Sequence, residues 1–575
     1  MQAPTDQPVP GAYALARGAI EAGVSLVTGY PGSPTTSVVD HIVAGTRADR
    51  VRVEWTSNEK VAIEMAFGAS LGGMRALLCV KSVGLNIALD PLMTFVLSGC
   101  NAGLVLLVGD DPGGWGSQNE QDSRALALAA EIPLLEPTTI ADARLSVRWA
   151  FDVSEKLDLP VMVRFTRALA LAREVLPALP GIRPEPPSPF RREYMRWVVL
   201  PANVVSSHRR LLERLDAVRA RFEGSPFNAA AGSGTQGIIS VGFTWQKLLD
   251  LLHGDLPVEA RVLRLGTVHP LPTGTLVTFL RTVESVLVLE EGAPLVERAV
   301  RAAAQREGLS VPIYGRDTNH VMRTGELFGP HIADALRALL PLPAQPAGAE
   351  IRRAMPSQDP FCEGCSYLEV FRALTEAMDR HGGRDDYIVV GDPGCMVRAQ
   401  SPPLKLLDVK DSLGSSIAIA TGIALSQGRP QRVREQRGPD QSVEDGPGRR
   451  VIALCGDSGL LHSGLPGLMD AVRVGARMLV VILDNGTTAL SGGQPHPASQ
   501  VDARGDPSGA VDLEALVRAT GAHTVQVIDL DRGEDIRPAI EEGLTAPQLV
   551  VVIARGQCAR WSTPAQTEMR QGSLQ

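Results

Sequence analysis

GDSGLLHSG, Gly456 to Gly464, carries residues that could do chemistry in two unrelated ways. Ser458 could be a nucleophile, or Asp457 could hold a metal. A nucleophile in a G-D-S-G loop of the protease kind belongs to an all-β frame, continues with Gly and Pro, and needs a His placed upstream. Here Leu460 and Leu461 take those two positions, and the stretch follows the apolar run RVIALCGD (450–457) and opens a helix. An Asp at the carboxyl end of a buried parallel strand, with a helix after it, stands where doubly wound sheets bind phosphates and metals. The chain then passes through GLLHSGLPGLMDAVRVGA into MLVVILDN (478–485), reaching Asn485, Gly486 and Thr487 at the next strand end. Asp457 and Asn485 thus present oxygens from adjacent strands. Mg2+ takes oxygen ligands in octahedral geometry, commonly one or two from side chains with phosphate oxygens and water completing the shell. The pair suits a diphosphate-bearing cofactor better than a bare ion, and the alternative that Asp457 merely caps a helix stays open on these residues alone.

GDS followed at a distance by an Asn that closes an apolar strand resembles the thiamine diphosphate motif, usually written GDG followed by NN. A second stretch, EWTSNEKVAIEMAFGAS (54–70), sets Glu59 at the start of a helix behind a short strand. It is similar to the segment that carries the activating glutamate of thiamine enzymes, whose carboxylate faces N1' of the aminopyrimidine and turns the 4'-amino group into the base for the thiazolium C2 proton. Glu64 competes on residue type, but the spacing to GAS favours Glu59. For an isolated Glu the plain reading is a solvated carboxylate at a helix start, and it is the metal motif that tips the balance.

These residues need elements to position them. A chain of 575 residues exceeds one hydrophobic core, and its apolar fraction of 44% allows several. Pro-rich breaks at 178–190 and 340–348 separate three regions, in which short β-branched runs alternate with amphipathic segments. That alternation predicts an α/β fold of three domains with mostly parallel sheets. The domains are drawn at 1–185, 195–342 and 350–575. The expected strands are 24–30, 76–82 and 103–111 in the first, 237–242, 260–266 and 285–291 in the second, and 386–392, 450–457, 478–485 and 548–555 in the third. The last four are near-continuous apolar runs, as in strands buried on both faces. The polar, turn-rich stretch 429–450 reads as a mobile surface loop, with partner docking through its basic residues as the lesser reading.

Net charge is -8 and no window concentrates Lys and Arg without acidic residues between them, which argues against a nucleic-acid partner. No apolar run is long enough to span a bilayer, and MQAPTDQPVPGAY does not read as a signal peptide, so no membrane association and a cytoplasmic location are expected. Seven scattered cysteines do not read as a disulfide framework and are expected to be mostly buried apolar fillers.

Further blocks make the resemblance specific: GYPGSPTTSV (29–38), KSVGLNIALDPL (81–92), GDDPGGWGSQNEQDSRALA (109–127), LGTVHPLP (265–272), VLVLEEGAPLVE (286–297), FCEGCS (361–366), GDPGC (391–395), LGSSIAIATG (413–422) and LDNGTTALSGGQPHP (483–497). In this order they resemble the alpha subunits of indolepyruvate:ferredoxin oxidoreductases, thiamine diphosphate-dependent members of the 2-oxoacid:ferredoxin oxidoreductase superfamily. The resemblance implies a thiamine diphosphate-binding fold: a pyrimidine-binding domain, a transketolase C-terminal-like domain and a diphosphate-binding domain, with a homodimer core that places the cofactor between first- and third-domain surfaces of different protomers. It implies Asp457, the Asn485 side chain and the Thr487 carbonyl as Mg2+ ligands, and Glu59 as activator. Ser33 stands where a Thr faces the substrate carbonyl, and His462 matches a family position, with a packing role as the alternative. Leu413 matches an apolar residue under the cofactor that keeps its two rings bent together. Gly394, Gly414, Ser415, Gly456, Ser458 and Leu490 complete the implied cofactor contacts, and Ser458 is then a small turn residue. The implied reaction is oxidative decarboxylation of an aryl or branched 2-oxoacid, the cofactor acting as electron sink. Coenzyme A takes the acyl group, a smaller acyl-transfer subunit assists, and electrons leave singly for a ferredoxin-type acceptor.

The sequence also departs from that family. Its alpha subunits end in a ferredoxin-like domain with two C-x2-C-x2-C-x3-C-P runs, whereas here a lone Cys558 follows the last expected strand. Cys362 and Cys365 form the only C-x-x-C, and with no second pair nearby neither zinc nor an iron-sulfur cluster is expected within this chain. A redox dithiol is the minor alternative to inherited pocket architecture. Ser33 replaces Thr, Ser82 follows Lys81 where His is usual, and Tyr367 replaces the His after the C-x-x-C. These changes fall on the substrate side and point to an altered electron path through a partner. Three competing readings are a non-oxidative decarboxylase or carboligase, a non-catalytic partner subunit, and tandem nucleotide-binding domains; the last lacks any G-x-G-x-x-G after a first strand.

Overall fold

The computed structural model describes residues 7–177, 190, 192–341, 361–427 and 449–561. The expected loop 429–450 lies outside the described residues except for Arg449 and Arg450, as does most of both Pro-rich breaks. By compactness the chain divides into two units, Met1–Arg352 and Arg353–Gln575.

The first unit carries two large sheets. One has seven strands, in the spatial order Thr267–His269, Leu134–Leu135, Val161–Thr166, Leu104–Asp110, Ala76–Lys81, Leu26–Gly29 and Arg52–Trp55. All neighbours are parallel except the first pair, so a segment of the expected middle region completes the sheet of the first. Its central strands are buried at every position, which is why they read as continuous apolar runs. The other sheet, of five strands, is built around Gln236–Val241, with Ala260–Leu265 and Ser285–Leu289 parallel on its two sides.

Charges inside this unit are paired. Arg164, in the middle of the buried strand Val161–Thr166, donates to Asp110 at 2.9 Å and Glu136 at 2.6 Å. Arg124 donates to Asp122 at 2.7 Å and to Glu290, which follows a strand of the five-stranded sheet, at 2.8 Å. Burial pushes the Asp110 and Glu290 carboxyls up, against the pull of Arg164 and Arg124 respectively. Burial acts on Asp122 in the same sense, but Arg124 overrides it and holds that carboxyl at about 2.

The second unit is a six-stranded parallel sheet in the order Val409–Lys410, Tyr387–Gly391, Arg450–Gly456, Met478–Asp484, Val550–Arg555 and Thr524–Asp529. One face packs on the helix Ser366–Arg380 through Val370, Phe371 and Leu374. The other packs on the helix Ser416–Gln427 through Ile417 and Ala420. With both faces covered, the polar ends of the central strands are the places left for chemistry.

Candidate functional site

In the second unit the carboxyl ends of adjacent strands converge on one carboxylate. Arg450–Gly456 delivers Asp457, which is buried, and the residues after Met478–Asp484 wrap it. Its Oδ1 accepts the Ser458 N–H at 2.7 Å, and its Oδ2 accepts those of Asn485 at 3.0 Å and Gly486 at 2.8 Å. Asn485 Oδ1 accepts the Thr487 N–H at 3.1 Å, and Asn485 Nδ2 donates to the Tyr367 hydroxyl at 2.9 Å. The imidazole of His496 lies beside this carboxylate, with Nε2 3.1 Å from Asp457 Oδ2. Burial alone would lower the imidazole's pKa, but the Asp457 charge outweighs it and raises it.

The helix after Asp457 is not regular. Leu460–Gly464 forms a π turn before the helix Leu465–Arg473, an insertion that favours functional sites because it turns side chains out of the usual register. His462 lies on it, buried, with Nδ1 3.0 Å from Ser463 Oγ. Ser463 in turn donates to the Leu413 carbonyl at 2.7 Å. Gly414, at φ 78°, fits against the turn so closely that a Cβ would lie 2.4 Å from Ser463 Oγ and 2.7 Å from the Gly459 carbonyl. Leu413, Gly414 and Ser415 are thereby fixed against the helix that Asp457 opens. Asp392 ties in the neighbouring strand end, accepting from the Ser416 N–H at 2.9 Å and the Cys455 thiol at 3.1 Å. Gly394, at φ 137°, leads into the turn Cys395–Gln400, and Leu490 is exposed on the turn Ala489–Ser491.

In the first unit Glu59 is the first residue of the helix Glu59–Leu71, behind the strand Arg52–Trp55. Asn58 caps that helix by accepting the Val61 N–H at 2.9 Å. The Glu59 side chain is buried against Gly84, where a Cβ would come within 2.4 Å of Oε1. Glu64 instead faces solvent and pairs with Lys60, which settles in favour of Glu59 the choice of which carboxylate points inward. Ser33 is exposed in the turn between Leu26–Gly29 and the helix Thr35–Gly45. Lys81 stands behind that turn, its stem against Gly32 and its Nζ donating to the Gly116 carbonyl at 2.6 Å.

Residues 17–180 match the family model described as pyruvate flavodoxin/ferredoxin oxidoreductase, thiamine diP-binding, and residues 392–554 match that of the thiamine pyrophosphate enzyme C-terminal TPP binding domain. The chain is 34% identical to the indolepyruvate oxidoreductase subunit IorA of Pyrococcus abyssi, over 96% of this chain and 85% of the relative. It is 33% identical to the IorA subunit of Archaeoglobus fulgidus, over 97% and 87% of the two chains. The chain belongs to the indolepyruvate oxidoreductase family. A solved 2-oxoglutarate:ferredoxin oxidoreductase from Magnetococcus marinus superposes with a TM-score of 0.46 at 17% identity, over 59% of this chain and 66% of that one, too loose a likeness to carry an argument.

Membership of this family of 2-oxoacid oxidoreductases brings thiamine diphosphate with it, and the residues fit it. Three backbone N–H groups aim the buried Asp457 carboxylate, as a metal ligand must be aimed, and the Asn485 amide oxygen stands on the same loop. A Glu in a glycine notch at a helix start is what the aminopyrimidine requires. Among the described residues no helix is long and apolar enough to cross a membrane.

One expectation about cysteine is corrected by the fold. Only Cys79, Cys100 and Cys455 are buried, whereas Cys362, Cys365, Cys395 and Cys558 are partly exposed. Cys395 lies in the turn after Gly394, and Cys558 follows the strand Val550–Arg555. Burial pushes Cys395 up to about 11, against Arg398. Among the described residues no three such groups close around a single metal ion. Sequence reasoning missed Asp392, His496 and Gly84; a Gly-Asp pair ending an apolar strand was the one available signal, at Asp392.

Proposed function

We propose that this chain performs the thiamine diphosphate- and Mg2+-dependent oxidative decarboxylation of an aryl or branched 2-oxoacid of the indolepyruvate kind. The observation that carries the reading is the Asp457 carboxylate, buried and held by the N–H groups of Ser458, Asn485 and Gly486 at the ends of two adjacent strands. Bound thiamine diphosphate supplies the electron sink for the departing carboxyl group. Asp457, Asn485 and the Thr487 carbonyl hold Mg2+, and the turns at Gly394, Leu413–Ser415, Gly456–Ser458 and Leu490 seat the cofactor. Glu59 shares its proton with the aminopyrimidine, while Ser33 and His462 face the substrate.

The domains run over 1–185, 195–342 and 350–575, and two copies form the core. Two helices support that association. Glu59–Leu71 and Ser416–Gln427 leave large apolar side chains uncovered, Met65 at 40% and Leu425 at 45% exposed. Coenzyme A accepts the acyl group with the help of a smaller acyl-transfer subunit; that the relatives are named as subunits supports a multi-subunit assembly. The electrons leave through a partner-borne path toward a ferredoxin-type acceptor.

The test is anaerobic incubation with thiamine diphosphate, Mg2+ and indolepyruvate or phenylpyruvate, following CO2 with and without a one-electron acceptor. CO2 that depends on the acceptor, and disappears in Glu59→Gln, is the expected result. Release without acceptor would replace the oxidoreductase by a decarboxylase. No release even with coenzyme A and an acyl-transfer subunit added would refute the substrate class.

A further inference from the structure

Tyr367 stands where the resembling family has His, and its hydroxyl ends beside the metal loop. The ring is buried on the helix Ser366–Arg380, packed edge-on to Phe371 at 6.2 Å between centroids. A phenol carries a single O–H proton at neutral pH. That one proton is committed to the Leu483 carbonyl at 3.0 Å. Toward Asn485 the oxygen can therefore act only as an acceptor, and it takes the Nδ2–H at 2.9 Å.

An Asn amide has two ends of nearly equal shape, and only the oxygen can ligate a cation. We infer that Tyr367 is a positioning residue that fixes the orientation of the Asn485 amide, holding Nδ2 away and presenting Oδ1 on the Asp457 side for the cation of a cofactor diphosphate. The Thr487 N–H supports the same orientation by donating to Oδ1 at 3.1 Å, leaving that oxygen a further lone pair. Without the hydroxyl the Thr487 N–H alone would hold that orientation, and an amide turned over would set an N–H against the metal. Partners that orient a metal ligand in this way are typically worth about tenfold to a hundredfold in metal affinity.

The inference rests on the Mg2+ and thiamine diphosphate reading. Its test is calorimetric titration of thiamine diphosphate into the full chain at several Mg2+ concentrations, for wild type, Tyr367→Phe, Asn485→Ala and the double variant. Apparent Mg2+ affinity is expected to fall about tenfold or more in Tyr367→Phe, and the same substitution in the Asn485→Ala background is expected to cost nothing further. Thermal unfolding without cofactor serves as the control for folding. An equal loss in both backgrounds would mean that Tyr367 supports the fold rather than the amide, and unchanged affinity in Tyr367→Phe would remove any role; either overturns the inference. Absence of Mg2+-dependent binding in the wild type would instead bring down the cofactor reading, and the inference with it.

Discussion

Replacing Gly84 by Ala separates the activating carboxylate from everything else in the site. The added Cβ would lie 2.4 Å from Glu59 Oε1, 2.7 Å from its Cγ and 2.8 Å from its Cδ, where ordinary contact begins at 3.4 Å. The carboxylate must therefore retreat by about 1 Å (3.4 less 2.4). A misplacement of about 1 Å at a reacting group costs about 100-fold in rate, or about 2.7 kcal/mol at 1.36 kcal/mol per decade. The fold pays much less: overpacking costs about 1–3 kcal/mol, while Ala in place of Gly inside a helix returns up to about 1 kcal/mol. The residues proposed to hold Mg2+ belong to the other unit, so cofactor affinity is expected to stay within about threefold. The direct assay is deuterium exchange at C2 of bound thiamine diphosphate, read by quenched-flow NMR, since it reports activation before any substrate is involved. Exchange is expected to slow about 100-fold in Gly84→Ala, with binding retained. Exchange within about threefold of wild type, in a variant that binds the cofactor, would show that the Gly84 notch does not set the position of an activating Glu59.

Gly414→Ala combines a left-handed backbone at φ 78° with contacts of 2.4 Å to Ser463 Oγ and 2.7 Å to the Gly459 carbonyl. Strain of about 1–3 kcal/mol is expected there, appearing as cofactor binding weakened about tenfold or more; an unchanged dissociation constant by calorimetry would refute the tight fit of this turn. For Asp122, burial opposes and Arg124 enforces a folded value of about 2 against an ordinary 3.8. A depressed carboxyl contributes its full stabilisation above its unfolded value and loses it as pH falls, so about 2 kcal/mol is present above pH ~4 and disappears toward pH ~2. Asp122→Asn should lower the melting temperature at neutral pH and flatten the acid limb, and a parallel limb in both proteins would count against the pairing.

Much of the site was legible because its signals are local. A Gly-Asp at the end of a buried strand, and an Asn at the end of the next, announce themselves by alternating apolar runs with polar punctuation, and Asp457 and Asn485 lie where that grammar sets them. Glu59 was legible for a similar reason, as an acidic residue at the first position of a helix with Asn58 to cap it. The strand Val161–Thr166 was not, because Arg164 breaks its apolar run, and a buried charge in a central strand makes sense only once Asp110 and Glu136 arrive from elsewhere in the chain. Placing Thr267–His269 in the first sheet likewise required pairing with Leu134–Leu135, more than 130 residues away. The notch at Gly84 and the hold of Tyr367 on Asn485 both join segments remote in sequence. Residue type and spacing determined which groups could do chemistry, since strand and helix ends are set by neighbouring residues. Which of them meet was decided by packing, because burial of the sheet faces, not any local pattern, fixes how distant strand ends are brought side by side.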